Sequence, residues 1–318
     1  MDINKGEAEH KLRLFCVVRV RDLDDENESL GGSDMSFGDE LSSEFYLESR
    51  KITGKYTEEK LFKAMQAAFE NLSHRYSLRC GVTHGGKSLV EFYEMASTRF
   101  FYAKDRGKTV KCELADLLIV SVNTREMRIC CLQNKFEKGK KRMSSVDSFY
   151  ADMRQFYLLN KRPVFELAGR KSTLLNTAIC PSVGSYGVFY SSGADFEMNY
   201  YSAEVLNFVT TKAKGRRRKV IMDPGTSKIK SYIHYGKIVN ECQYTDTIKE
   251  FGNAAEKMTI GTPFSIEEGV RILGKPFGRW IQELFDNEEN IIAQIEEADA
   301  NGYPGIACRF AVVIRTDG

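Results

Sequence analysis

Between Lys111 and Lys138 the chain carries four side chains whose chemistries would combine: Glu113, Asp116, Gln133 and Lys135. Glu113 and Asp116 precede an apolar, β-branched run at 117–122, residues 123–126 (Asn-Thr-Arg-Glu) supply a turn, and a second apolar run at 127–132 leads into Gln133-Asn-Lys135. This pattern predicts a hairpin. Antiparallel pairing about the turn brings Asp116, at the start of the first strand, to the same end as Gln133 and Lys135 at the close of the second. Gln133 and Lys135, two apart on a strand, share a face. Carboxylates, an amide oxygen and an amine gathered there suit metal-assisted phosphodiester hydrolysis. A hard cation such as Mg2+ takes oxygen ligands, usually one or two carboxylates, and leaves the rest of its shell to water and a phosphate oxygen. Asp116 and Glu113 would supply the carboxylates and Gln133 a carbonyl, while Lys135 would orient the attacking water or stabilise the pentavalent species. Mg2+ or Mn2+ is the expected cofactor.

These residues resemble the PD-(D/E)XK nuclease superfamily, in which an Asp opens one core strand and a (D/E)-x-K motif lies on the next. Asp116 stands for the first acid, Gln133 occupies the second-acid position and Lys135 stands for the lysine. The Gln form is similar to the Q-x-K variant of Mrr-type restriction endonucleases. The resemblance runs from the helix before Asp116 to the helix after Lys135. It implies an α/β fold with a restriction-endonuclease-like mixed central sheet flanked by helices, Mg-dependent endonucleolytic cleavage of DNA, and a setting in microbial antiviral defence or DNA processing. The superfamily core runs helix, three-stranded meander, helix, strand, and many members place a further acid on the first helix. Polar residues closing a strand are ordinarily only solvated ends. Here both strands are apolar on both faces, as at the buried centre of an α/β sheet, and a charged cluster beside them needs partners or a metal.

The elements around the hairpin are readable in part. Thr57 caps a helix to about residue 75, with Leu61, Ala64, Met65, Ala68, Phe69 and Leu72 as its buried stripe. Residues 88–101 predict a second helix, with Leu89, Phe92, Ala96 and Phe100 aligned; on it Glu91 and Glu94 are candidates for the further acid, although Ser88 with Glu91 also fits a capping box. Residues 144–159 predict a helix stopped by Lys161-Arg-Pro163. Strands are expected at 11–21, 164–167 and 186–190, with Ser182, Gly184 and Ser185 in a loop before the last, and an acidic loop at 22–36. Residues 1–195 are expected to form the nuclease-like domain. Residues 196–318 would be a C-terminal α/β elaboration, within that domain or beside it, holding a helix at 264–285 broken at Lys275-Pro276 and a closing strand at 305–314. This region is also the candidate surface for a protein partner or a second copy of the chain.

With 318 residues, 42% of them hydrophobic, the chain can bury a substantial core. No apolar run approaches the ~20 residues of a membrane span, and the polar first residues are unlike a secretory signal. Eight cysteines are scattered without a C-x-x-C pair, and the four histidines lack metal spacing, so a zinc hydrolase is not expected and a reducing, cytoplasmic setting is. A net charge of +2 makes no general case for nucleic acid. Two local clusters do. Lys138, Lys140, Lys141 and Arg142 follow the motif directly, and Arg216, Arg217 and Arg218 fall in a predicted loop before residues 220–222. Both would hold a DNA backbone by charge, without sequence preference.

Two rival readings stand beside the nuclease. Residues 81–88 (Gly-Val-Thr-His-Gly-Gly-Lys-Ser) fit the phosphate-loop expression G-x-x-x-x-G-K-[ST], which needs a buried strand before it and a helix opening at its end. Gln133 in place of an acid also fits a catalytically silent subunit that binds DNA or scaffolds a larger complex.

Overall fold

The strands Leu117–Val122 and Met127–Glu137 pair antiparallel about the predicted turn, with Leu117 opposite Leu132 and Val122 opposite Met127. A computed structural model describes residues 35–82, 89–93, 108–138, 148–167, 170–193, 195–209, 216–234, 236–300 and 308–316. All six residues of the first strand and the first nine of the second are buried, which only an interior position in a sheet covered on both faces allows. Phe310–Arg315 lies parallel to Leu117–Val122, and Leu78–Gly81 lies antiparallel beyond it. On the other flank Gly184–Ser192 runs parallel to the second half of Met127–Glu137, and Asp195–Ser202 and Tyr244–Thr245 follow antiparallel. Thr262–Phe264 pairs with residues 127–129. The described residues thus form a mixed α/β fold with an eight-stranded mixed central sheet.

Period-two alternation sends the hairpin's side chains into two cores. Leu117, Ile119, Cys130 and Leu132 pack with Phe45, Leu61, Phe69 and Phe251, contributed by the helices Phe37–Arg50, Glu58–Leu72 and Ile248–Glu256. Leu118, Val120, Ile129 and Cys131 pack on the opposite face with Phe156, Val270, Ile281 and Ile295, from Met153–Lys161, Ile266–Leu273, Lys275–Leu284 and Glu289–Ala300. The helix Glu58–Leu72 forms as its sequence predicts: the Thr57 hydroxyl accepts the Lys60 N–H at 3.3 Å, and the whole predicted stripe is buried. The later helical stretch breaks at Gly274, whose φ of +88° suits glycine, with Pro276 in the first turn of the next helix.

Three local expectations are corrected. Leu89–Tyr93 is a strand, pairing antiparallel with Thr109–Glu113, where a helix over 88–101 was expected. Val90 and Phe92 are buried, and Glu91 between them forms a 3.0 Å ion pair with Lys111, so it is not a helix cap. Residues 89–93 are therefore not the helix that a phosphate loop must open; residues 83–88 and 94–107, Glu94 among them, lie outside the described residues. Ser148–Asp152 is a strand, and the helix begins only at Met153, because Phe149 and Ala151 alternate inward and pair with Val220 and Arg218. Arg217–Met222 is that partner strand, where a loop through Arg217 and Arg218 was expected.

Ser182, Gly184 and Ser185 are interior, not a loop near a phosphate. The Ser182 hydroxyl accepts the Gly261 N–H at 3.0 Å, and the Ser185 hydroxyl bonds the Ser182 carbonyl at 2.8 Å. The predicted strand at 11–21 lies outside the described residues, as does nearly all of the acidic loop at 22–36. Among the described residues no helix is long and apolar enough to cross a membrane, and Cys130 and Cys131 fall in opposite cores.

Candidate functional site

Asp116 stands at the mouth of Leu117–Val122, tied in place by its own backbone. Its N–H donates to the Leu132 carbonyl at 3.0 Å, and its carbonyl accepts the Phe310 N–H at 3.1 Å. The side chain is only 4% exposed. One carboxylate oxygen, Oδ2, accepts the Asn134 N–H at 2.9 Å and the Gln133 amide Nε2. Oδ1 lies 3.4 Å from Nε of Arg309. Burial pushes the Asp116 carboxyl up to about 6, against the opposing pull of Lys135, the Asn134 N–H and Arg309.

Glu113 closes the strand Thr109–Glu113, and both of its carboxylate oxygens lie 2.8 Å from Nη2 of Arg309. One guanidinium therefore joins the two acids. Gln133, 2% exposed, donates to Asp116 through its nitrogen while its oxygen accepts from Gln155 at 3.1 Å, so the amide is held at both ends. Lys135 is 7% exposed; its ammonium bonds the Asn134 carbonyl at 2.5 Å and reaches Glu58, the first residue of the helix Glu58–Leu72, at 3.4 Å.

Asp152 caps the helix Met153–Lys161, accepting the Arg154 N–H at 2.9 Å, and its other oxygen takes Nε of Arg216 at 2.5 Å. Arg217 lies directly across the ladder from Asp152 and is exposed. These groups line one cleft of about 290 Å³, which holds Glu58, Glu113, Asp116 and Asp152, Lys135, Arg216, Arg217 and Arg309, and Gln133 and Gln155. Four acids against four bases leave no excess negative charge to repel a phosphate. A larger cleft of about 390 Å³, which includes Glu204, Asp223 and Lys230, holds none of the hairpin's charged residues.

All four predicted site residues, Glu113, Asp116, Gln133 and Lys135, line the same cleft, and so do Arg216 and Arg217. Lys138 is exposed at the end of the motif strand and Arg218 is half-buried on the Arg217–Met222 strand; neither lines it. Lys140, Lys141 and Arg142 lie outside the described residues. The sequence reading missed Arg309, Glu58, Asp152 and Gln155. Glu58 had a visible signal, an acid just inside a capped helix, but such acids are also explained by the helix dipole. Arg309 had none, because only the pairing of Phe310 with Leu117 brings it beside Asp116.

Among the described residues no group of three or more His, Cys, Asp or Glu side chains is placed to hold a metal. The donors at the cleft are nevertheless of the kind Mg2+ uses: two carboxylates, with space for water. Arg309 stands between them, contacting Glu113 through Nη2 and Asp116 through Nε. The chain matches no known family model, no curated protein and no solved structure.

Proposed function

We propose that the protein is a metal-dependent nuclease that hydrolyses DNA phosphodiester bonds. The observation that carries this reading is the convergence of Asp116, Glu113 and Lys135 on one cleft rimmed by Arg216 and Arg217. Asp116 and Glu113 would hold Mg2+ or Mn2+, which when bound would acidify the attacking water and offset charge gathering on the phosphate. Gln133 orients Asp116 rather than acting as a ligand, since its nitrogen faces the carboxylate and its oxygen is bonded to Gln155. Lys135 is held close by Asn134 and Glu58, where its charge can stabilise the pentavalent phosphorus. Arg216 and Arg217 would bind a neighbouring phosphate.

The resemblance to the PD-(D/E)XK superfamily gains support from order along the chain. An Asp-bearing strand, a motif strand, a helix (Met153–Lys161) and a further strand (Gly184–Ser192) parallel to the motif strand occur in that order, with Ser148–Asp152 inserted before the helix and two short strands, Phe165–Leu167 and Arg170–Ser172, after it. Glu58, on a preceding helix and lining the cleft, would stand as the further acid in place of Glu91 or Glu94. Those insertions depart from the core, and so does the strand on the outer side of the Asp strand, which is Phe310–Arg315, parallel and from late in the chain, where a meander would supply an antiparallel strand from before it. A second reading, a silent DNA-binding or scaffold subunit, is favoured by the Gln133 amide, which is already bonded at both ends.

Incubating the purified protein with supercoiled and linear DNA in Mg2+, Mn2+ or EDTA, beside an Asp116→Ala, Lys135→Ala double variant, separates the two. The nuclease reading expects metal-dependent cutting by the wild type and none by a folded variant. Retained DNA binding without cutting by either protein would replace it with the silent-subunit reading.

A further inference from the structure

Arg309 occupies the position between the two carboxylates that a divalent cation would take. Its Nη2 lies 2.8 Å from both oxygens of Glu113 and its Nε lies 3.4 Å from Asp116 Oδ1. Its backbone is fixed, because the next residue, Phe310, is 0% exposed and donates its N–H to the Asp116 carbonyl. Its side chain is 51% exposed and so has an open route out of the ion pair. A long, flexible side chain on an anchored backbone can exchange one partner for another without moving the fold. Lys135, Arg216 and Arg217 line the same cleft, so an incoming phosphate group would find three further cations there beside Arg309. A guanidinium pairs with phosphate in the same forked geometry it uses with carboxylate.

We propose that Arg309 is an exchangeable cation of the active cleft: it neutralises Glu113 and Asp116 in the metal-free protein, yields them to a divalent cation, and turns to a phosphate of the nucleic acid. The proposal rests on the metal-dependent reading of the cleft. It makes Arg309 a competitor of the metal and a partner of the substrate. Its removal should therefore move the two affinities in opposite directions. A residue that merely braced the fold would weaken both.

The test uses the full-length protein and does not depend on turnover. Mn2+ binding without DNA is followed by the electron paramagnetic resonance signal of free Mn2+ for the wild type, Arg309→Ala and Arg309→Gln. Circular dichroism and thermal unfolding confirm that each variant is folded. Both variants should bind Mn2+ about tenfold tighter, and adding Asp116→Ala should abolish the gain. In a second arm, affinity for a short DNA duplex is measured with Ca2+ and with EDTA. The variants should lose about tenfold with Ca2+ and little with EDTA.

Equal or weaker Mn2+ binding by the folded variants overturns the proposal, as does the absence of Mn2+ binding by every protein. Equal binding together with metal-dependent cutting by the wild type removes the exchange and leaves the nuclease reading in place. Tighter binding by the variants with no cutting by any protein keeps the exchange and removes the nuclease reading.

Discussion

Asp116 carries a cost that its neighbours only partly offset. Its carboxyl is pushed up to about 6 in the folded protein and returns to the ordinary aspartate range, near 3.8, on unfolding. Between those values the folded state binds more protons than the unfolded one, so stability falls as pH rises from about 4 to 6 and stays low above. The two values lie about two pH units apart, so ionising Asp116 costs the fold on the order of 3 kcal/mol at neutral pH. Asp116→Asn should therefore raise unfolding stability at pH 7.5 by about 1–2 kcal/mol, because an amide oxygen in the place of Oδ2 still accepts both hydrogen bonds while the ion pair of Oδ1 with Arg309 is lost. Urea titrations should show the gain disappearing near pH 4. Asn134 poses the complementary case. Its backbone N–H holds Asp116, but its buried side-chain amide has no hydrogen-bond partner among the described residues. Asn134→Val should stabilise the protein by about 1–3 kcal/mol and leave DNA cleavage unchanged, since the backbone hydrogen bond remains. At this scale the sequence was informative where one hairpin brings residues together, as with Asp116, Gln133 and Lys135, and silent where distant strands do, as with Arg309.

The elements that hold these residues depend on close approach. At Gly184 an added Cβ would lie 2.5 Å from the Leu159 carbonyl oxygen and 2.9 Å from its Cα, both backbone atoms of the helix Met153–Lys161. Glycine lets that helix sit directly on the sheet, and the helix carries Gln155 and begins at Asp152, both in the cleft. Gly184→Ala should push the helix outward, destabilise the protein by about 1–3 kcal/mol, and slow DNA cleavage by loosening Gln133. Denaturant unfolding and a cleavage assay on the same preparation test both effects. Element type was legible where period and length agreed, as in Glu58–Leu72. It was not at residues 89–93, where Leu89 and Phe92 fit a helical stripe while Val90 and Phe92 fit a strand, and pairing with Thr109–Glu113 decided between them. The same ambiguity hid Ser148–Asp152, whose partner Arg217–Met222 lies far along the chain.

For the whole molecule, a net charge of +2 provides little long-range attraction for DNA, so binding must draw on the local charge of the cleft. Replacing Arg216 and Arg217 with Ala should weaken duplex binding uniformly across sequences. It should also reduce the slope of log affinity against log salt by about 2, near one for each phosphate that is no longer neutralised. Fluorescence anisotropy between low and moderate salt measures it; an unchanged slope would place the DNA elsewhere. The buried centre of an α/β sheet was foreseeable from two strands apolar on both faces, whereas a mixed sheet flanked by helices was expected only from the family resemblance. The position of the late strand was not, since Gly305-Ile-Ala-Cys-Arg-Phe reads only as a good strand and says nothing about its neighbours.

That late strand also sets when the cleft can exist. Phe310 pairs with Leu117 across about 190 positions of sequence, and pairings of such span form slowly because a long loop must close first. During synthesis the hairpin leaves the ribosome well before residues 309–315. Until they arrive Asp116 has neither the Phe310 N–H on its carbonyl nor the Arg309 guanidinium beside its carboxylate. Assembly of the cleft is thereby timed to the far end of translation of this stretch, and a partly made chain would carry the motif without the finished site.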